Sequence, residues 1–364
     1  MTQTPTARSA PGSKPRSSSE AVAPKKRVAV LVFNLGGPEK QADVQGFLYN
    51  LFADRRIIDL PWGIRQGLAS LISSRRAPIA KKNYALMGGG SPILSETRDQ
   101  AQALETHLNR GAGIDAKVFI GMRYWHPFIE DCVKQIEAWK PDEVVVLPLY
   151  PQFSSTTTLS GFEAFKKAWR GKAPVKYVCC YSDNDHFIDA HVQLIREWLK
   201  SKVGDTSNVR LLFSAHGLPE KIIKNGDPYQ EQVESSVARI MAHLGDIDHV
   251  ICYQSRVGPL KWIGPSTDET IQAAGRDGKA VMLIPIAFVS EHIETLVELD
   301  IEYAELAEKA GVHVYRRVPA LRTNKGLIQA LGAEVMKALG AVGPVIGDHD
   351  CAKCHKFCPK KRAA

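Results

Sequence analysis

The sequence has no long apolar run. Its longest, "AVMLIPIAFV" (280–289), is ten residues and contains a proline, well short of the ~18 a membrane span needs. The N-terminus, "MTQTPTARSAPGSKPRSSSEAVAPKKR", has no apolar h-region and so does not read as a secretory signal. It is too poor in apolar residues to bury itself, and residues 1–26 are expected to form a disordered extension. Seven cysteines, an odd number, do not suit a disulfide framework. Without a signal segment they point to a reducing, cytoplasmic compartment. A basic domain face is also missing. The net charge of +8 comes from residues 1–27 (+5) and 345–364 (+3), which leaves the body neutral. That weakens a nucleic-acid reading, which wants a basic stripe on a folded surface. Neither G-x-G-x-x-G nor G-x-x-x-x-G-K-[ST] occurs, so no nucleotide site is implied.

What is present is an alternation. Short β-branched runs recur at 28–33, 117–122, 143–150, 175–181, 209–217, 249–255, 280–290 and 312–318. Their nearly continuous hydrophobicity predicts strands covered on both faces. Helix-period segments at 95–109, 127–139, 185–201, 229–244 and 291–310 lie between them. The class is α/β with parallel sheets, as one sheet of eight strands or two of four. The stretch 151–174, rich in Ser, Thr and Gly, reads as a crossover between halves.

Function in such folds gathers beyond the carboxyl ends of strands. There the sequence offers Arg123, Tyr124, His216, Arg256 and an acidic run from Glu291. His216 follows "LLFSA" and precedes Gly217, a glycine that would let a ligand approach. Its ring suits a proton acceptor or a metal ligand, or equally a helix cap. Glu291, Glu294, Glu298, Glu302 and Glu305 are spaced 3, 4, 4 and 3, which on an α-helix confines them to an arc of roughly 80°. No lysine interleaves them, so the row is either a solvated face or a path for a hard divalent cation, with His292 as a further ligand. Leu35, Trp125, Trp262 and Phe288 are core residues or walls of a cleft for a flat apolar ligand bearing carboxylates. Residues 47–84 mix apolar positions with Arg65, Arg75, Arg76, Lys81 and Lys82, a pattern that fits a membrane surface or a solvated helix pair.

The motifs "LVFNLGGPE", "MGGGSPI", "GMRYWHPFIED", "LPLYPQFSSTTT", "LLFSAHGLPEKIIKNGDPY", "YQSRVGPLKWIGPSTDET" and "PIAFVSEHIETLVELDIEY" resemble ferrochelatase in order and spacing over roughly 28–340. The resemblance implies a lyase that inserts Fe²⁺ into protoporphyrin IX, the last step of haem biosynthesis, without an organic cofactor. It implies two Rossmann-like domains with four-stranded parallel sheets and a cleft between them. Their expected limits are 27–174 plus the returning C-terminal segment 323–345, and 175–322. Carried over by motif, His216 and Glu294 are the catalytic and metal-site pair. Arg123, Tyr124, Leu35, Phe288, Trp262 and His292 contact the porphyrin. Arg76, Tyr84 and Ser91 form a lip that faces the membrane, giving peripheral contact with the inner membrane. Glu291, Glu298 and Glu302 continue the metal path, although "SEH" here replaces the "SDH" of many members. A cobalt or nickel chelatase for precorrin-type tetrapyrroles would share the histidine but not "YQSRVGPLKWIGPSTDET". The coproporphyrin branch fits "NLGGP" less well, and a non-catalytic sensor would not need His216 and Glu294.

The tail, 346–364, is basic and cysteine-rich. Cys351, Cys354 and Cys358 spell C-x₂-C-x₃-C-P, the last three ligands of a bacterial ferredoxin run, whose first would fall at Asp348. Some ferrochelatases hold a [2Fe–2S] cluster with C-terminal cysteines and one internal cysteine, and by that resemblance the internal position is Ser155. Cys179 or Cys180 then becomes the candidate fourth ligand. Zinc, completed by His355, or an unliganded tail are the alternatives. Cys132 and Cys252 read as buried structural residues.

Overall fold

The computed structural model describes residues 1–2, 24–111, 113–203, 208–256, 258–351 and 355–362. Most of the expected N-terminal extension, and Cys354 with it, lies outside the described residues.

In chain order the first half comprises β1 (Lys26–Asn34), α1 (Val44–Phe52), α2 (Trp62–Ala85), α3 (Ile93–Gly111), β2 (Ile114–Met122), α4 (Ile129–Trp139), β3 (Glu143–Pro148), α5 (Thr158–Ala168), β4 (Val175–Val178) and α6 (Asp185–Trp198). The second comprises β5 (Val209–His216), α7 (Glu220–Lys224), α8 (Tyr229–Leu244), β6 (His249–Gln254), α9 (Thr267–Arg276), β7 (Ala280–Pro285), a π-helix (Glu294–Glu302), α10 (Tyr303–Lys309) and β8 (Tyr315–Arg317). Then α11 (Lys325–Gly340), β9 (Val345–Ile346) and α12 (Pro359–Arg362) return to the first half.

Two parallel sheets result, ordered β2-β1-β3-β4-β9 and β6-β5-β7-β8. Alternate side chains of each strand feed different layers. Val28, Val30 and Val32 of β1 and Leu211, Phe213 and Ala215 of β5 share one continuous core with Leu327, Leu331 and Val335 of α11. Ala29, Leu31 and Phe33 face α4 and α5 instead, while Leu212, Val281 and Leu283 face α9 and α10. Local signals set the ends. Asn184 accepts from the His186 and Phe187 amides at the start of α6, and Ser266 and Glu269 form a reciprocal capping box on α9.

Four expectations need correction. β4 pairs with β3 in the first sheet, in register Val144↔Val175, so the division at 174/175 falls too early. Residues 151–174 are not a link between halves: they contain α5 and cross over from β3 to β4 within one sheet. The first sheet has five strands rather than four, because Val345–Ile346 pairs with β4. A strand of two residues leaves no periodic signal. Finally, 291–310 is not one α-helix but a π-helix followed by α10.

Beyond the shared core, two buried clusters are among the contacts that fix the halves to each other. Asp227, fully buried between α7 and α8, accepts from the Ser155 amide and hydroxyl (both 2.6 Å), the Ser154 hydroxyl (3.1 Å) and the Tyr229 amide (3.0 Å). On the other side, Gln100 of α3 donates to the Val289 carbonyl at 2.8 Å and accepts from Ser290 at 3.1 Å, clasping the segment that follows β7. Asp227→Ala would strand several buried donors. It should lower unfolding free energy by about 2–4 kcal/mol, measurable by urea denaturation, against little change for the exposed Glu302→Ala.

Candidate active site

Each sheet reverses strand order beside its central strand, at β1/β3 and at β5/β7, and the crevice beyond the carboxyl ends at such points is where ligands bind. His216 is the last residue of β5. Its Cα partner across the ladder is Gln254, the last residue of β6. Nδ1 of His216 lies 2.6 Å from the Gly217 carbonyl oxygen, which can only accept. In the neutral ring Nδ1 therefore carries the proton, and Nε2 presents a lone pair. Gly217 does not open the way for a ligand, as its position suggested. A Cβ there would meet the Gln254 carbonyl at 2.9 Å and the Trp262 ring at 3.3 Å, so the space is filled by protein.

Gln254 is buried. It accepts from Ser214 (2.7 Å) and donates to Glu294 Oε2 at 3.3 Å. Ser255 donates its amide to Glu298 Oε1 at 2.9 Å and its hydroxyl to Glu298 Oε2 at 2.5 Å, and that hydroxyl is 3.4 Å from Glu294 Oε2. The Tyr303 hydroxyl adds a bond to Glu298 Oε1 at 3.1 Å. The Glu298 carboxyl is pushed up to about 7, first by burial and then by the negative charge of Glu294, against the pull of its Ser255 and Tyr303 donors. His216 is within electrostatic reach of both Glu298 and His292. His292 is buried, and burial lowers its proton affinity. It packs against Phe288 with ring centroids 4.5 Å apart, and its amide bonds to the Thr295 hydroxyl.

The acidic row divides differently from the α-helical projection. Glu294 and Glu298 face Gln254 and Ser255, whereas Glu302 and Glu305 are exposed. Glu291 leaves the row altogether. Both its oxygens accept from Arg317 (2.8 and 2.9 Å), and Oε1 also accepts the Ala320 amide. Burial alone would raise its carboxyl, but Arg317 holds it below the usual range. It braces β8 against the site and does not extend the path.

The first half supplies the opposite wall. Leu35, Tyr84, Tyr124 and Trp125 cluster with Ile293 from across the cleft. Tyr84 and Tyr150 are raised by burial and feel Glu294, so both stand near the carboxylates. Arg123 and Tyr124 are committed to a residue with no sequence signal. Asp54 accepts from Arg123 Nη2 at 2.9 Å and from the Tyr124 hydroxyl at 2.7 Å, and Ser160 bonds to Asp54 and to Arg123. Tyr124 is fully buried, and its hydroxyl is spent on Asp54. Ser91 anchors a turn through its amide on Pro38, and Arg76 is exposed with its guanidinium 5.8 Å from the Phe52 ring. Trp262 packs over Gly217. Ser255, Gln254, Tyr303, Asp54 and Arg317 were not foreseen. Only "YQS", at a strand end, carried a usable hint.

The tail cysteines approach the body. Cys179 and Cys180, just beyond β4, have sulfurs 3.5 Å apart and are buried. Cys180 accepts from Cys179, which raises the Cys179 thiol and lowers that of Cys180, and the charges of Cys358 and Cys351 also act on Cys179. A hydrogen bond to Cys358, then burial, raises Cys351, whose sulfur also accepts from Gln232 at 3.2 Å. Gly347 lies against the pair: a Cβ there would be 2.4 Å from the Cys179 sulfur. Four thiols thus come together, and thiolates suit iron or zinc. Among the described residues no group of three or more His, Cys, Asp or Glu stands in metal-holding geometry, and the expected ligand Cys354 is outside them. Ser155 is not at this place: its hydroxyl serves Asp227. Cys132 and Cys252 are buried, as expected.

The fold is that of the tetrapyrrole metal chelatases. It superimposes on the solved structure of SirB from Bacillus subtilis with Fe³⁺ at a TM-score of 0.51 and 12% identity, over 86% of this chain and 96% of that one. The sirohydrochlorin chelatase SirB from the same species in complex with cobalt gives 0.51 at 10% identity, over 86% and 95%. The ferrochelatase family model matches residues 27–339. Ferrochelatases of Caulobacter vibrioides and Hyphomonas neptunium are 53% and 48% identical over 345 and 343 residues, covering 93% and 92% of this chain and 99% and 95% of theirs. The chain belongs to the ferrochelatase family. It is a lyase that inserts ferrous iron into protoporphyrin to make haem.

Glu298 supplies a pH test of the site. Its folded pKa of about 7 lies above the unfolded value near 4.5. Its stabilising contribution is therefore full below ~4.5 and lost as pH rises through 7. In metal-free protein, Glu298→Gln should raise unfolding free energy at pH 8 by on the order of 1–3 kcal/mol over wild type, and the gain should vanish by pH ~4.5. Parallel denaturation curves at the two pH values check this.

Proposed function

We propose that His216 Nε2 takes the two pyrrole protons one at a time, releasing the first to solvent before it accepts the second, while Glu294, with Glu298 beside it, receives Fe²⁺. The observation that carries this division is the bond from His216 Nδ1 to Gly217, which leaves Nε2 bare in the same cleft as the carboxylate pair. Insertion removes two N–H protons and adds one dication, so the site needs a neutral base and an anionic metal port. Two neighbouring carboxylates in a poorly solvated cleft repel, and a dication relieves that repulsion. Glu302 at the surface, followed inward by Glu298 and Glu294, gives the cation a route along one helix. The part-exposed Leu35 and Trp125, backed by the buried Tyr84 and Tyr124, together with Phe288 and Trp262 suit a flat macrocycle. Their grip, made before metal arrives, can bend the ring toward the geometry in which the lone pairs face the metal. Arg123, held by Asp54 but part-exposed, remains the cation for a porphyrin carboxylate.

Peripheral membrane contact on the cytoplasmic side belongs to the same proposal. No helix among the described residues is long and apolar enough to cross a membrane. α2 buries only a narrow stripe (Ala69, Ser73, Ala77, Tyr84) and exposes Trp62 (74%), Ile64, Leu71, Ile79 (65%) and, just beyond its end, Leu86, with Arg75, Arg76 and Lys82 among them. Exposed apolar side chains interleaved with cations favour an anionic lipid surface.

His216→Ala should lower chelation at least ~100-fold, and Glu294→Gln should cost more than Glu302→Gln. A purified His216→Ala enzyme retaining over about a tenth of the rate, or equal effects of the two glutamines, would refute the assignment.

We further propose that Cys351, Cys354 and Cys358, with Cys179 or Cys180, hold a [2Fe–2S] cluster of structural or regulatory role. Its support is the convergence of tail thiols on Cys179 and Cys180. Protein purified without oxygen should absorb between roughly 300 and 600 nm with about two irons and two sulfides per chain, lost in Cys351→Ser. Zinc without sulfide would assign the thiols to a Cys₃His site instead.

A further inference from the structure

We propose that Ser255 is the positioning residue that sets the Glu294–Glu298 pair for a divalent cation. The proposal rests on the assignment of that pair as the metal port. Ser255 follows β6 with φ of 61°, in the left-handed region where any residue but glycine is strained by about 1 kcal/mol or more. A glycine or asparagine would sit there more easily. What a serine adds is its hydroxyl.

The backbone turn points the Ser255 amide and hydroxyl at the same carboxylate. The amide takes Glu298 Oε1 at 2.9 Å and the hydroxyl takes Oε2 at 2.5 Å, so one residue closes both oxygens. The hydroxyl also lies 3.4 Å from Glu294 Oε2, while the preceding Gln254 donates to that oxygen at 3.3 Å. Two consecutive residues at one strand end therefore hold the two carboxylates of one π-turn. Mutual repulsion drives Glu298 away from Glu294, and rotation toward solvent is the easy escape. Ser255 closes it. Tyr303 holds only Oε1 and leaves that rotation open. The pair then meets an incoming dication at a fixed separation, and the cost of holding it is met in folding rather than in binding.

The test is steady-state chelation with the intact enzyme, using Zn²⁺ as an oxidation-proof stand-in for Fe²⁺ and varying metal and porphyrin separately. Ser255→Gly keeps the left-handed turn and the amide and removes only the hydroxyl. Its KM for metal should rise about tenfold, the scale of one charge-assisted hydrogen bond, with the KM for porphyrin and the melting temperature nearly unchanged. In a Glu298→Gln background, Ser255→Gly should add little. A porphyrin KM that rises in step with the metal KM would mean general distortion and overturn the proposal. So would a full effect that persists in the Glu298→Gln background. Should Ser255→Gly not fold, Ser255→Ala runs the same cycle. If Glu294→Gln and Glu298→Gln leave the metal KM unmoved, the metal-port assignment itself falls. If they move it and Ser255→Gly does not, only the role of Ser255 falls.

Discussion

Two like charges held close together in a poorly solvated cleft are the constraint on which the site depends. Glu294 and Glu298 share one π-turn and a single seryl hydroxyl. Left alone, such a pair lowers its energy by taking up a proton or by moving apart. Burial first, and then the charge of Glu294, pushes the Glu298 carboxyl up to about 7, and the donors Ser255, Gln254 and Tyr303 oppose the movement apart. The π-helix is part of the same arrangement. Within it Glu294 and Glu298, four residues apart, both bear on the residues that end and follow β6.

A third carboxylate at this place would spoil the balance, and the fold removes it. Glu291 lies three residues before Glu294, yet it is fully occupied by Arg317 and the Ala320 amide. Arg317 also pairs with Asp300. The acidic stretch therefore carries two jobs. One carboxylate fastens the segment after β7 to β8, and the next two turn to Gln254 and Ser255. On the opposite side, Gln100 of α3 clasps Val289 and Ser290. The segment from 289 to 294 is thus tied at both edges before it reaches the cleft. A site built this way loses little entropy when substrate arrives, because its groups are already ordered.

The strands and their class were legible because a buried parallel strand leaves a dense apolar run, as in "VAVLVF" and "EVVVLP". His216 and Glu294 could be singled out as candidates because they stand where such runs end, within long motifs. The rest was hidden for identifiable reasons. β4 is four residues long and its pairing is a long-range choice, so local pattern could not say which sheet it joins. The two-residue β9 has no period to read. The π-helix differs from an α-helix by one hydrogen-bond step, which side-chain spacing does not report. Asp54 and Arg317 act from sequence positions 69 and 26 residues away from their partners. Glu291 looked like part of a bare acidic face because its neutralising cation comes from another strand.

The tail meets the same scaffold at a particular place. His349 bridges Asp183, beyond β4, and Glu231 on α8 at 2.7 and 2.9 Å, and His355 adds a second bond to Glu231. The Phe357 amide reaches the Gly226 carbonyl. Gly226 adjoins Asp227, which binds the first half, and two residues further on the Tyr229 hydroxyl meets the His216 main chain. Residues 226–232 are therefore held by the tail on one side and seat His216 on the other. Chelation changes no oxidation state, since iron enters and leaves as Fe²⁺. A metal centre among the tail thiols has no electron to contribute to that step. The tail's link to the cleft is mechanical, through the bonds that fix 226–232 beside His216. A loosened tail should then be felt in proton acceptance at His216 before it is felt at the carboxylate pair, which is fixed from β6 and the π-helix and shares no direct contact with the tail among the described residues.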